Sequence, residues 1–148
     1  MAKQHIFIRE RLQMQAHFFD VDSVNVVWHG NYVKYFEIAR CNLLDKIGYG
    51  YNQMRADGFG YPVAKFECKY LAPIRFADIF EVEACLTEYE SSLQFLYFIF
   101  DRRGRKITRA SSMQVCIRLD TFESCFSTSE KLQTVVKNYS GYIPKEEE

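Results

Sequence analysis

From Tyr32 onward the apolar residues adopt a helical period. Tyr32, Tyr35, Phe36, Ala39, Leu43 and Ile47 fall on one stripe of a helix of about four turns. Asn31 is placed to cap its start, and Gly48 with Gly50 to stop it. After the helix the period drops to two. Over 63–70, Lys65, Glu67 and Lys69 alternate with Ala64, Phe66, Cys68 and Tyr70. Over 80–87, Phe80, Val82, Ala84 and Leu86 alternate with Glu81, Glu83, Cys85 and Thr87. These read as half-buried strands, antiparallel because the connections are short. Residues 93–100 are apolar on both faces, which suits the centre of a sheet or a subunit contact.

The remaining elements follow from turn and cap residues. Residues 5–19 read as a first strand, and 51–57 as a short second helix. Asp101 to Gly104 forms a hairpin turn into a long strand over 106–119. Ser127 and Glu130 have capping-box spacing and open a final helix to about residue 138. One apolar-striped helix with one large antiparallel sheet is an α+β arrangement, met most economically by a curved sheet wrapped around the helix.

A chain of 148 residues fits one domain, read here as 1–142 with a solvated, mobile tail at 143–148. A globule of this size buries roughly 70% of its unfolded surface, so it needs no metal or disulfide staple. Thirteen Phe and ten Tyr call for a large core, a ligand tunnel or a subunit interface. The formal net charge is zero, so the basic surplus of a nucleic-acid binder is missing and self-association meets little repulsion. The five cysteines form no CxxC and read as reduced, small apolar residues of a cytoplasmic protein. The N-terminus lacks an apolar export segment, and no run reaches the ~18 apolar residues of a membrane span.

Asp20 and Asp22 stand just ahead of Asn25-Val26-Val27-Trp28-His29-Gly30-Asn31-Tyr32. Carboxylates in a turn are ordinary. Beside a helix start, where unpaired N–H groups and partial positive charge gather, a carboxylate can also be a reaction site. This segment, continuing to Tyr35-Phe36-Glu37-x-Ala39-Arg40, resembles the signature of the 4-hydroxybenzoyl-CoA thioesterase family, nearest its YbgC-like acyl-CoA thioesterase branch. Further on, Tyr70-x-x-Pro73-x-Arg75-x-x-Asp78 is similar to that family's turn between long strands. The resemblance runs from about residue 8 to 120, with both motifs in order.

The resemblance implies the hotdog fold, a homodimer at least and often a tetramer, with active sites at the dimer interface. It implies an acyl-CoA thioesterase in which Asp22 is the nucleophile or the general base. The backbone N–H at His29 would hold the oxyanion, and the His29 side chain is a second catalytic candidate. Asn25, Val27, Trp28 and Tyr32 are the candidates for substrate contact. No metal or cofactor is implied, CoA being part of the substrate. The alternatives are an acyl-carrier-protein thioesterase and a hotdog module that binds an acyl thioester or a partner without hydrolysis.

Other residues read as structural. Asp20 organises the turn, and Glu37 pairs with Arg40 one helical turn away. The family's turn glycine is Asn25 here, the residue type that best tolerates positive φ after Gly. Glu88 and Glu90 occupy a turn where some relatives carry basic residues near the nucleotide, whereas Arg75, Arg102, Arg103 and Arg105 are candidates for phosphate contact.

Overall fold

The stripe beginning at Tyr32 forms helix α1 (Tyr32–Lys46) in the computed structural model, which describes residues 4–146. Every stripe residue from Tyr32 to Ile47 is buried. The helix stops where expected. Gly48 takes φ 82°, its N–H donates to Asp45 O, and Tyr49 N–H donates to Leu44 O. That pair of bonds is a Schellman cap, and only a residue at ease with positive φ closes it without strain.

The helix start corrects the sequence reading. A 3₁₀ turn, His29–Asn31, runs directly into α1, and the extended residue before it is Trp28. Asn31 is itself helical and caps nothing; its side-chain amide donates to Asp20 O at 2.8 Å, buried. The true N-terminus therefore lies at His29, one turn earlier than the capping residue suggested.

The strands form one five-stranded antiparallel sheet in the order β1-β4-β5-β6-β3. They are β1 (Ile8–Gln15), β3 (Val63–Tyr70), β4 (Ile79–Glu88), β5 (Leu93–Phe100) and β6 (Lys106–Gln114). Helix α2 (Tyr51–Ala56) and a short β2 (Phe59–Gly60) lie between α1 and β3. β5, apolar on both faces, is the central strand. The sheet curves around α1: the Phe36 ring lies tilted 4.9 Å from Tyr97 on β5 and 6.0 Å from Phe66 on β3, and Tyr35 lies 5.0 Å from Phe80 on β4.

Two buried polar devices were not visible in the alternation. Arg40 is buried, donating to the Tyr51 hydroxyl at 2.6 Å and to the Tyr97 hydroxyl at 3.1 Å, while Glu37 sits 3.7 Å away. β4 is buried on both faces from Val82 to Leu86, not half-buried, because Glu83 is covered by Arg11 at 3.1 Å and Arg9 at 3.6 Å. A buried carboxylate is tolerable only when paired in this way.

The long strand over 106–119 is broken. β6 ends at Gln114, and β7 (Ile117–Arg118) turns away to pair with β2. The final helix, α3 (Glu130–Asn138), is capped by Ser129, whose hydroxyl accepts from Leu132 N–H, and not by Ser127. At the start of the expected tail, Ile143 donates to Phe7 O at 2.8 Å. Residues 147–148 lie outside the described part.

Burial pushes the Tyr61 and Tyr70 phenols up to about 12 from an ordinary 10.0. Their neutral forms are favoured only in the folded chain, so their contribution is complete below pH 10 and is lost as pH climbs to about 12. Thermal melts from neutral pH upward are expected to hold steady and then fall across that window. A melting temperature that stays flat through pH 12 would contradict it.

Candidate active site

The turn ahead of α1 is built by its two carboxylates. Asp22 N–H donates to Val26 O at 2.9 Å and Asn25 N–H to Asp22 O at 3.0 Å, closing a tight loop. Inside it, Asp22 Oδ1 accepts from Val24 N–H at 2.9 Å and is 3.4 Å from Val26 N. Asn25 sits at φ 62°, the conformation for which its side chain is suited. The Asp22 carboxylate is exposed, with Oδ2 outside these bonds.

Asp20 has the opposite environment. It is 7% exposed, and its Oδ2 accepts from His17 N–H at 2.8 Å. Its carbonyl accepts from Trp28 N–H at 3.0 Å and from the Asn31 amide. Asp20 thus ties the loop to the helix start, the structural role read for it. Burial, with the nearby Asp20 carboxylate adding to it, pushes the Tyr35 phenol well above its ordinary range.

At the helix start the donors divide into two groups. Trp28 N–H is taken by Asp20 O and Asn31 N–H by Trp28 O, whereas the N–H groups of His29 and Gly30 have no acceptor among the described residues. Two free amides at the positive end of a 3₁₀–α1 continuation form a site for negative charge. The Trp28 ring, 51% exposed, lies over Gly30, so close that a Cβ there would collide with it.

The second motif closes this region from the other side. Val27 N–H donates to Ile74 O at 2.7 Å, Val26 pairs with Arg75, and the Tyr70 hydroxyl donates to His29 O at 2.9 Å. The 70–78 connection is braced in turn, with Arg75 N–H bonding Asp78 Oδ2 at 2.9 Å. The result is an open cleft of about 270 Å³ whose walls include Val27, His29, Tyr32, Tyr70 and Pro73. Of the residues named from sequence, Val27, His29 and Tyr32 line it. Asp22, Asn25 and Trp28 are not among its lining residues; Asp22 is tied to the lining residue Val26, whose carbonyl accepts from Asp22 N–H. Tyr70, Leu71, Ala72 and Pro73 were not assigned to the site from sequence, although their motif was the available signal.

Tyr70→Phe removes the bond that holds the His29 peptide. It is expected to cost ~1 kcal/mol, seen as a fall of a few degrees in melting temperature. An unchanged melt would mean that the bond does not brace the loop.

Residues 16–135 match the Thioesterase-like superfamily. The chain belongs to that family. It is 27% identical to the acyl-CoA thioester hydrolase YbgC of Escherichia coli O157:H7 over 72% of this chain and 81% of YbgC. The solved DHNA-CoA thioesterase from Staphylococcus aureus superposes with a TM-score of 0.75 at 28% identity, covering 80% of each chain. A 1,4-dihydroxy-2-naphthoyl-CoA thioesterase from Synechocystis superposes at 0.79 with 19% identity over 88% of this chain and 96% of its own, a likeness of fold. The wrapped sheet is therefore the hotdog fold. No helix among the described residues is long and apolar enough to cross a membrane.

Proposed function

We propose that this chain is an acyl-CoA thioesterase, adding water across a thioester to release a carboxylic acid and free CoA. The observation that carries the reading is the pair of free amides at His29 and Gly30 beside a cleft, with an exposed carboxylate, Asp22, on the adjoining turn. The thioester carbonyl points at the His29 N–H, where charge developing on oxygen meets a preorganised donor worth ~3 kcal/mol. Asp22 supplies the attack, as nucleophile on the carbonyl or as general base toward water; both roles need the same ionised carboxylate. His29 lines the cleft, and its imidazole is the second catalytic candidate. Val27 and Tyr32 wall the acyl group, with Trp28 and Asn25 at the mouth.

A second copy of the chain completes the site. β3 is an edge strand, largely exposed, with one side of its backbone unpaired. Exposed edges of this length are normally covered. Phe18, Phe76 and Trp28 also stand exposed around the same loop. A homodimer pairing along β3 covers this surface and brings the partner against the Asp22 turn; a tetramer is a further step of the same kind. The five free thiols suit a reducing compartment, and we place the enzyme in the cytoplasm.

The test is thiol release from short, medium, long and aromatic acyl-CoAs by the native protein. Selectivity should follow the acyl group, each buried CH₂ contributing ~0.8 kcal/mol. A folded protein that cleaves none of the panel contradicts the reading.

A further inference from the structure

The five cysteines are free thiols, and backbone register sorts them. Cys68 on β3 pairs with Ala110, and Cys85 on β4 pairs with Arg9 and Leu96, so neither meets a sulfur across its strand. Cys41 lies within α1, outside any strand pairing. Cys116 and Cys125 are different. Ile117 bridges Ser124 antiparallel, Arg118 N–H donates to Glu123 O at 2.9 Å, and Cys125 N–H donates to Cys116 O at 2.9 Å. The three contacts share one register, which sets Cys116 directly opposite Cys125 as a hydrogen-bonded pair. Both side chains therefore leave the same face of the hairpin. Such a pair has Cα atoms about 5.5 Å apart, well inside the range that disulfides span. Their Cβ atoms start up to about 5.5 Å apart, wider than a disulfide prefers, so a bridge there pulls the hairpin tighter and is readily reduced.

The two thiols differ in access. Cys116 is 2% exposed, beside the Tyr61 hydroxyl and the Ser129 cap of α3, whereas Cys125 is half-buried. Burial pushes the Cys116 thiol up to about 11; the Tyr61 hydroxyl works against that, and the Cys125 thiol adds to it. An oxidant arriving from solvent meets Cys125 first, and Cys116 is the second sulfur. The hairpin between them carries strain. Its turn residue Phe122 is exposed and holds φ 58°, a left-handed conformation costly for a bulky side chain. The same hairpin carries β7, which pairs with β2, and leads into α3 through Thr128, whose N–H donates to Glu90 O at 2.8 Å.

We propose that Cys116 and Cys125 form a reversible disulfide, a redox-sensitive clasp that locks the 116–125 hairpin when a small-molecule disulfide such as oxidised glutathione accumulates. The Cys125 thiolate attacks one sulfur of the small disulfide; that S–S bond breaks and one small thiol leaves. The Cys116 thiolate then attacks Cys125 Sγ, the mixed S–S bond breaks, and a second small thiol leaves. Two protein thiols are oxidised, one small disulfide is reduced, and the two thiol protons end on the two released thiols. Excess small thiol drives both steps backward, so the bridge is transient, the form disulfides take in a reducing compartment. The clasp requires nothing of the thioesterase reading.

The test is incubation of the native protein, kept dilute, with oxidised glutathione, followed by alkylation under denaturing conditions and mass spectrometry. Alkylated thiols are expected to fall from five to three, with Cys116 and Cys125 recovered in one linked peptide, and to return to five under excess reduced glutathione. Cys116→Ser removes the second sulfur and should accumulate a glutathione adduct on Cys125. Cys125→Ser should keep all its remaining thiols. Thermal melts check that both variants are folded, and the native measurement stands without them. The bridged protein should also be cut by chymotrypsin after Phe122 severalfold more slowly than the reduced one. Folded native protein that keeps five alkylated thiols throughout overturns the proposal, as does a linked peptide joining any other pair. Equal cutting of the oxidised and reduced hairpins overturns the lock.

Discussion

Asp22→Asn lowers kcat for acyl-CoA hydrolysis by about a thousandfold, within the range for loss of a positioned acid–base group. The substitution is unusually clean because Asp22 is exposed and its structural bonds are made through one oxygen, Oδ1, facing Val24 N–H. The Asn carbonyl keeps that acceptor and the tight loop with it. What it removes is the charge, and with it both the nucleophile and the base. Stability should change by no more than ~0.5 kcal/mol, about two degrees in melting temperature. Glu37→Gln is the control, since Glu37 is an exposed carboxylate on α1 whose partner is Arg40 at 3.7 Å. Its activity should remain near native. An Asp22→Asn protein within tenfold of native kcat would move the chemistry to another group, and a Glu37→Gln loss would say which.

Phe36→Ala destabilises the fold by about 3–5 kcal/mol, a large share of a typical total. Phe36 is 1% exposed and is the side chain through which α1 touches both Tyr97 at the sheet centre and Phe66 at its β3 edge. Truncation leaves a cavity between two rings that cannot collapse onto one another without moving the helix. The expected fall in melting temperature is roughly 10 °C, at a few degrees per kcal/mol for this size. Denaturant unfolding of the native and variant proteins measures it. A loss under ~1 kcal/mol would mean that α1 is held by something other than this clamp.

The helix and the sheet were legible because each has a period. The stripe from Tyr32 to Ile47 is buried along its whole length, and the strands read over 63–70, 80–87 and 93–100 lie close to where the pattern put them, whereas the one read over 106–119 stops at Gln114. Failures came where a tertiary partner changed a residue's meaning. Arg40 reads only as the partner of Glu37, and it is buried, because Tyr51 and Tyr97 turn hydroxyls toward it. Glu83 reads as solvent-facing, but Arg9 and Arg11 from β1 cover it. Asn31 has the chemistry of a cap but spends its side chain on Asp20 O, leaving Trp28, a poor capping residue, at the real start.

The site was legible in a different way. The turn residues and Tyr70 to Asp78 were named from resemblance, and Asn25 at positive φ was expected from its chemistry. That the two motifs build one cleft is a fact of long-range pairing. Val27 meets Ile74 and His29 meets Tyr70 across more than forty residues of chain, and no local pattern announces such a contact.

The most direct test of the central claim is a multiple-turnover incubation of the native protein with an acyl-CoA in water carrying heavy oxygen, followed by mass spectrometry. Hydrolysis by this site yields equimolar CoA thiol and free acid, with one heavy oxygen in each acid. An intact, unlabelled thioester recovered from folded protein, or an enoyl thioester formed without thiol release, would contradict it.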